Sequence, residues 1–418
     1  MLKINKTGIV LGILIGIQVS LVAQNSTNSP YTRYGYGALA DRSFGAGRSM
    51  GGVGYGLRTS KQINPMNPAS YSSMDSLTFL FDVGASIHFS WFDDGLNKQK
   101  NLNGNLEYIA MQFPLHKRLA MSAGVLPYSY VGYDFGTLNT GEVTYSDKFS
   151  GTGGLNEVYV GLSLDIWKKR LSLGANISYL FGDIDHRSVS ALSIANSTAN
   201  DVYTMKKVNV HNMKYDLGVQ YTHPLSKTER VTVGLAYSPE IRLKTTSYDL
   251  IGFNSSFTSI LQADTAWNRG FDLPHSIGAG FSYTKDYKMV LAADVSYQGW
   301  SQAHFFDKKD AFRDRIKVAV GGEFIPNNFT RLYLNRVRYR AGLHYSNSYL
   351  QIKGVGYNEY GACAGVGFPM LDNRSFINAS LEYVKVVPDT KALINEQYFR
   401  LTVSYTFNER WFLKMKMD

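Results

Sequence analysis

The feature that most narrows what this chain can fold into is an alternation of apolar and polar side chains that runs longer than a soluble strand requires. Across residues 77–91, Phe79, Phe81, Val83, Ala85, Ile87, Phe89 and Trp91 alternate with Thr78, Leu80, Asp82, Gly84, Ser86, His88 and Ser90. Successive side chains of a strand point to opposite faces, so one face is apolar and the other mostly polar. The pattern returns over 157–166, where Val158, Val160, Leu162, Leu164 and Ile166 stand against Glu157, Tyr159, Gly161, Ser163 and Asp165. After Lys168-Lys169-Arg170 it resumes as Leu171, Leu173, Ala175, Ile177, Tyr179 and Phe181. Alternation over about ten residues, capped by aromatics, suits a tilted strand crossing a hydrocarbon layer. Lipid cannot satisfy an open sheet edge, so such strands must close into a barrel.

Fourteen candidate strands follow, near 77–91, 104–114, 118–134, 155–168, 170–183, 202–223, 229–247, 272–286, 287–301, 312–325, 331–347, 351–369, 374–388 and 395–407. Connections after even-numbered strands are short and most after odd ones are long and polar, with 135–154, 184–201 and 248–271 the longest. That asymmetry is expected of periplasmic turns and outer loops in a transmembrane antiparallel β-barrel. The fold class is therefore all-β, with the barrel at 77–407 and a short amphipathic tail at 408–418. Lys3 and Lys6 precede an apolar stretch that ends at Ala23, so residues 1–23 read as a cleaved signal peptide. Residues 24–76 lack crossing periodicity. Their Gly and Tyr repeats (Tyr34-Gly35-Tyr36-Gly37, Gly51-Gly52-Val53-Gly54-Tyr55-Gly56) and Asn-Pro turns suggest irregular chain, either a luminal hatch or a periplasmic linker.

Composition agrees, with 29 Tyr, 23 Phe and 39 Gly against 11 Pro. The single cysteine, Cys363, permits no intramolecular disulfide. A formal charge of +10 invites a nucleic-acid reading, but the basic residues fall at strand ends and turns rather than on one face, which excludes it. No catalytic motif, metal-ligand spacing or cofactor loop stands out. The best metal-like cluster, Asp183-Ile184-Asp185-His186, reads as a solvated loop start, so no enzyme, metal or cofactor is expected.

Four blocks resemble the FadL/TodX family of outer-membrane fatty acid and hydrocarbon channels. Gly47-Arg48-Ser49-Met50-Gly51-Gly52 followed by Asn67-Pro68-Ala69 resembles that family's hatch. Gly124-Val125-Leu126-Pro127-Tyr128 resembles its kinked third strand. Leu273-Pro274-His275-Ser276-Ile277-Gly278 and the stretch from Leu291 to Trp300-Ser301 resemble a later hairpin. The resemblance implies passive uptake of hydrophobic small molecules with lateral exit into lipid near Gly124, Pro127 and Tyr128. Independently, a proline inside a strand implies a bulge or a gap in pairing. The family also holds PorV-like relatives that bind protein partners in secretion or outer-membrane assembly.

Alternation turns Asp82, Asp165 and Asp294 inward. They either pair with luminal or hatch basic groups such as Arg48, Arg58 and Lys61, or orient a ligand headgroup with Trp300 supplying apolar contact. Expected partners are a hydrophobic ligand, outer-membrane lipid and lipopolysaccharide, the assembly machinery that inserts the barrel, and a secretion or assembly protein. Docking would use apolar loop tips such as Phe253, Phe257 and Ile260, or Trp411-Phe412 in the tail.

Overall fold

The computed structural model describes residues 26–140, 144–167, 169–192, 200–253, 259–267, 270–286, 288–306, 311–390 and 393–411. The signal segment 1–23, Phe257 and the tail from Phe412 lie outside the described residues. Fourteen strands form the wall: β1 Thr78–Asp93, β2 Lys98–His116, β3 Leu119–Asn139, β4 Tyr145–Trp167, β5 Leu171–Leu192, β6 Val202–Pro224, β7 Glu229–Ser238, β8 Ser276–Lys285, β9 Met289–Gln298, β10 Arg315–Phe324, β11 Arg338–Asn347, β12 Tyr357–Pro369, β13 Phe376–Pro388 and β14 Asn395–Arg410. Neighbours pair antiparallel in chain order, and β14 returns to β1 from Asn395↔Asp93 to Arg410↔Thr78. The sheet is closed, as a wall bathed in lipid must be. No helix among the described residues is long and apolar enough to cross a membrane.

The registers follow the alternation. On β4, Val158, Val160, Leu162 and Leu164 face outward and exposed, whereas Glu157, Tyr159, Ser163 and Asp165 are buried inside. Residues 26–77 precede the wall, most of those from 31 to 74 are buried against its inward-facing side chains, and the segment, called the hatch below, has a two-residue strand at Ala38–Leu39 and short helical turns at Gly45–Arg48 and Pro68–Ser73.

Several boundaries differ from expectation. Much of 135–154 and 184–201 is strand, because the β3–β4–β5 ladder continues beyond the lipid, where an apolar outer face is no longer needed. The expected strand 229–247 stops at Ser238, just before Pro239 removes a backbone donor. Lys244–Gly252 then resumes β7's pairing along the outer half of β6, one residue out of register, and takes Ile260–Trp267 as its other neighbour, forming a hairpin at the long-loop end. The strand expected from 331 starts at Arg338, after a loop with a helical turn at Tyr333–Arg336, and the one expected from 351 starts at Tyr357.

Candidate functional site

The hatch is held by side chains that the wall's inward parity supplies. Asn67 donates through Nδ2 to the carbonyls of Tyr55 (2.9 Å), Val219 on β6 (3.2 Å) and Leu235 on β7 (3.3 Å), while its Oδ1 accepts from Ala69 N–H at 3.1 Å. One amide thus caps the Pro68–Ser73 turn and fastens it to two strands. Ser163 donates to the Ala69 carbonyl (2.9 Å), and Gln220 donates to the carbonyls of Tyr55 and Leu57, both at 3.0 Å. At several of the closest approaches of the hatch backbone to the wall, the wall residue is glycine. A Cβ on Gly234 would sit 1.9 Å from the Tyr55 carbonyl oxygen, and one on Gly342 2.2 Å from Met50. Pro68 lies against Gly174 and Gly218 in the same way.

The kink in β3 is a one-residue bulge at Tyr128. Pairing with β4 passes from Pro127↔Asn156 directly to Ser129↔Leu155, and Ser129 Oγ accepts the Leu155 N–H at 3.3 Å. Gly124 is packed against Ala110 and Tyr159. On the inner side the hatch adds its own strand: Ala38 and Leu39 pair with Tyr130 and Ser129, and Ala40 N–H donates to the Tyr128 carbonyl at 2.9 Å. The bulge that Pro127 forces is therefore closed from within by the hatch.

Three hatch charges are matched by the wall. Arg42 Nη2 lies 3.0 Å from Glu157 and 2.8 Å from Asp216, and Lys214 reaches the same two carboxylates at 3.4 and 2.7 Å. Arg48 meets Glu107 at 2.8 Å, with both groups buried. Lys317 lies 3.0 Å from Asp41. Burial opposes ionisation of Asp41, but Lys317 and Arg48 outweigh it and hold the carboxyl well below its usual range. Burial also pushes the Arg58 guanidinium down to about 10, against the pull of Asp165.

The inward aspartates are all occupied. Asp82 accepts from the hydroxyls of Tyr108 (3.1 Å) and Thr406 (3.0 Å). Asp165 accepts the Lys169 N–H at 2.8 and 2.9 Å, and Asp294 accepts the N–H groups of Gly54 (2.6 Å) and Tyr55 (2.9 Å). Glu107 and Glu157 matter as much, and sequence reading passed Glu107 over because β2 bulges there. The register jumps from Gly84↔Tyr108 to Ala85↔Leu106, so Glu107 and Tyr108 are consecutive yet both buried inside. Two adjacent polar-tipped residues inside an alternating run were the available signal.

A family model for BamG matches residues 3–418. The chain belongs to the BamG family. No curated protein matches it in sequence. Among solved structures, the BamG-family chain is similar to the CymD monoaromatic hydrocarbon channel, with 14% identity over 91% of this chain and 99% of that one, and a TM-score of 0.60. The toluene transporter TbuX of Ralstonia pickettii matches at 15% identity over 89% and 99% of the two chains (TM-score 0.57). The toluene transporter TodX of Pseudomonas putida matches at 14% over 90% and 100% (TM-score 0.58). At these identities the likeness establishes the fold.

In this BamG-family barrel the outer connections fold inward over the hatch. Trp300 is fully buried, with ring centroids 5.7 Å from Tyr36, 5.3 Å from Phe312 and 4.6 Å from Tyr349. Tyr36 belongs to the hatch's Tyr-Gly repeat. Gly37 beside it has φ +84° and lies so close to Tyr130 that a Cβ would stand 2.2 Å from its carbonyl oxygen. Below this aromatic cap, a cavity of about 110 Å³ is lined by charged groups such as Arg48, Glu107 and Arg400 and equally by apolar ones such as Leu39, Leu350 and Val386. The metal-like cluster is dispersed: Asp183 faces Lys207 (3.3 Å), Asp185 faces Arg187 (2.8 Å), and His186 bonds the Tyr133 hydroxyl (2.7 Å). At the outer hairpin, Phe253, Ile260, Leu261 and Trp267 are exposed, and Trp411 at the other end stacks on Phe79 at 4.2 Å.

Proposed function

We propose that this BamG-family barrel is a closed outer-membrane platform that engages a protein partner in secretion or outer-membrane assembly. The filled bore carries this reading. An apolar conduit has to reach Pro127 from the outer mouth, but that route is occupied by the aromatic cap around Trp300, by Leu39 and Leu155, and by the hatch strand. Below lie the ion pairs of Arg42 and Arg48. On the outer hairpin, Ile260, Leu261 and Trp267 are apolar groups that reach water, the last 71% exposed. Clustered exposed apolar side chains mark interaction sites, and tryptophan is a frequent anchor. The test is native mass spectrometry of the full-length barrel after mild solubilisation. A stoichiometric protein partner that is lost in L261S/W267S is expected; a bound apolar molecule with no protein partner would overturn the reading.

A second reading rests on a different observation. The fold is shared with a monoaromatic hydrocarbon channel and toluene transporters, and the hatch strand leans on the Pro127 bulge. Withdrawal of Ala38–Leu39 would open a path for hydrophobic small molecules of the fatty acid or hydrocarbon class, leaving sideways near Gly124, Pro127 and Tyr128. Passage into lipid spares about 25 cal/mol per Å² of apolar surface that periplasmic water would otherwise wet. Uptake of radiolabelled toluene that depends on the barrel supports this reading, and uptake equal to that of barrel-free cells removes it.

A further inference from the structure

One connection at the short-turn end, periplasmic in the orientation the sequence implies, differs from the rest. Residues 325–337 between β10 and β11 form a compact loop in which Asn327 N–H donates to the Asn335 carbonyl (2.8 Å) and Asn327 Oδ1 accepts from Phe329 N–H (3.0 Å). The loop lies against the outside of the wall. Tyr339, a lipid-facing residue of β11, donates its hydroxyl to the Leu334 carbonyl (3.3 Å), and the Tyr333 hydroxyl donates to the Pro369 carbonyl at 3.2 Å. Arg336 ties the loop to the next turn by donating to Asn373 Oδ1 at 2.7 Å. From this shelf Phe329 (85%), Leu332 (67%), Leu334 (69%) and Leu371 (102%) project far more than lipid-facing wall residues such as Val160 (44%).

Next to the shelf, the lipid-facing wall has a shallow groove of about 410 Å³. Ala364 and Ala379 form its low floor between Tyr339, Val366, Leu381 and Leu401. Ala364 pairs with Leu381 and Val366 with Ala379, so the floor crosses from β12 to β13 one register step apart. The shelf also carries surplus positive charge. Arg331, Arg336 and Arg374 form no ion pair among the described residues, while Asp372 is taken up by the N–H groups of Arg374 and Ser375 and by the Ser375 hydroxyl.

Projecting apolar side chains beside guanidinium groups at a membrane boundary complement a lipid with a negative headgroup. A groove that opens sideways from the lipid-facing wall takes what the hydrocarbon layer offers, an acyl chain. We propose that shelf and groove bind one anionic phospholipid of the periplasmic leaflet, its phosphate on Arg331, Arg336 and Arg374 and one chain along Ala364 and Ala379. The site is independent of the bore and of the outer hairpin.

Native mass spectrometry of the full-length barrel, titrated with phosphatidylglycerol or phosphatidylcholine, tests it. The expected result is a single phosphatidylglycerol adduct favoured at least about fivefold, a preference abolished in R331S/R374S, which keeps the Arg336–Asn373 bond. A364W fills the groove with a side chain suited to a lipid face and is expected to remove the adduct while β-barrel migration on gels is unchanged. Equal occupancy by the two lipids overturns the proposal, as does a preference that survives R331S/R374S. A protein, instead of lipid, cross-linked at Phe329 overturns it as well.

Discussion

Arg42, half-buried, joins the buried Lys214, Glu157 and Asp216 in a quartet of two positive and two negative charges, three from the wall and one from the hatch. A buried pair adds little over an apolar substitute, but removing one partner strands the others without water. Arg42→Met is therefore expected to destabilise the seated hatch by about 3–5 kcal/mol, read as protease cleavage within 26–77 of a barrel that stays folded. R42M/E157Q, which removes one charge of each sign, is expected to restore much of the protection. Asp41 gives the pH dependence. Lys317 and Arg48 depress its folded carboxyl below the usual carboxylate range despite burial, so its contribution is present above that range and is lost as pH falls through the lower folded value. Asp41's share of that protection should hold from pH 8 to about 5 and be lost only in stronger acid, and Asp41→Asn should expose the hatch at neutral pH. At this scale the sequence told which residues face inward but not what they meet. Asp82 and Asp294 obeyed alternation, yet their partners are a tyrosine, a threonine and hatch N–H groups, which periodicity does not encode.

Strand elements were legible because lipid enforces a two-residue period over each crossing, and the signal weakened where lipid ends. The outer parts of β3, β4 and β5 keep their ladder without an apolar face, and Lys244–Gly252 continues β7's pairing with β6 only after a break at Pro239 and a one-residue shift, which alternation does not reveal. The hatch was harder, since a segment without period reveals composition and not contacts. Periodicity assigns no partner to the glycines of hatch or wall, yet together they form much of the surface on which hatch and wall meet. Gly342, whose Cβ would fall 2.2 Å from Met50 backbone, gives the test. Gly342→Val suits a strand but not the seated hatch. The variant should insert and migrate as a folded barrel while its hatch becomes protease-sensitive, whereas Ala341→Val, its lipid-facing neighbour, should change neither.

For the whole molecule, the two functional readings differ in what the hatch must do. A docking platform needs the hatch to stay, because it fills the bore and braces the wall through Asn67 and the Gly belt; a channel needs the strand at Ala38–Leu39 to leave the Pro127 bulge. Leu39 and Ser129 are directly opposed across that strand pair, at the spacing that a disulfide between neighbouring strands can bridge. L39C/S129C, made in a Cys363→Ser background to avoid pairing with the native thiol, therefore bolts the hatch shut under oxidation and frees it on reduction. Partner recovery in native mass spectrometry is expected to be the same in both states, because the seated hatch is already the working form. Toluene uptake that falls on oxidation and returns on reduction would instead show that the hatch strand moves in function, and would shift the assignment from the exposed Ile260–Trp267 hairpin to the bulge at Tyr128.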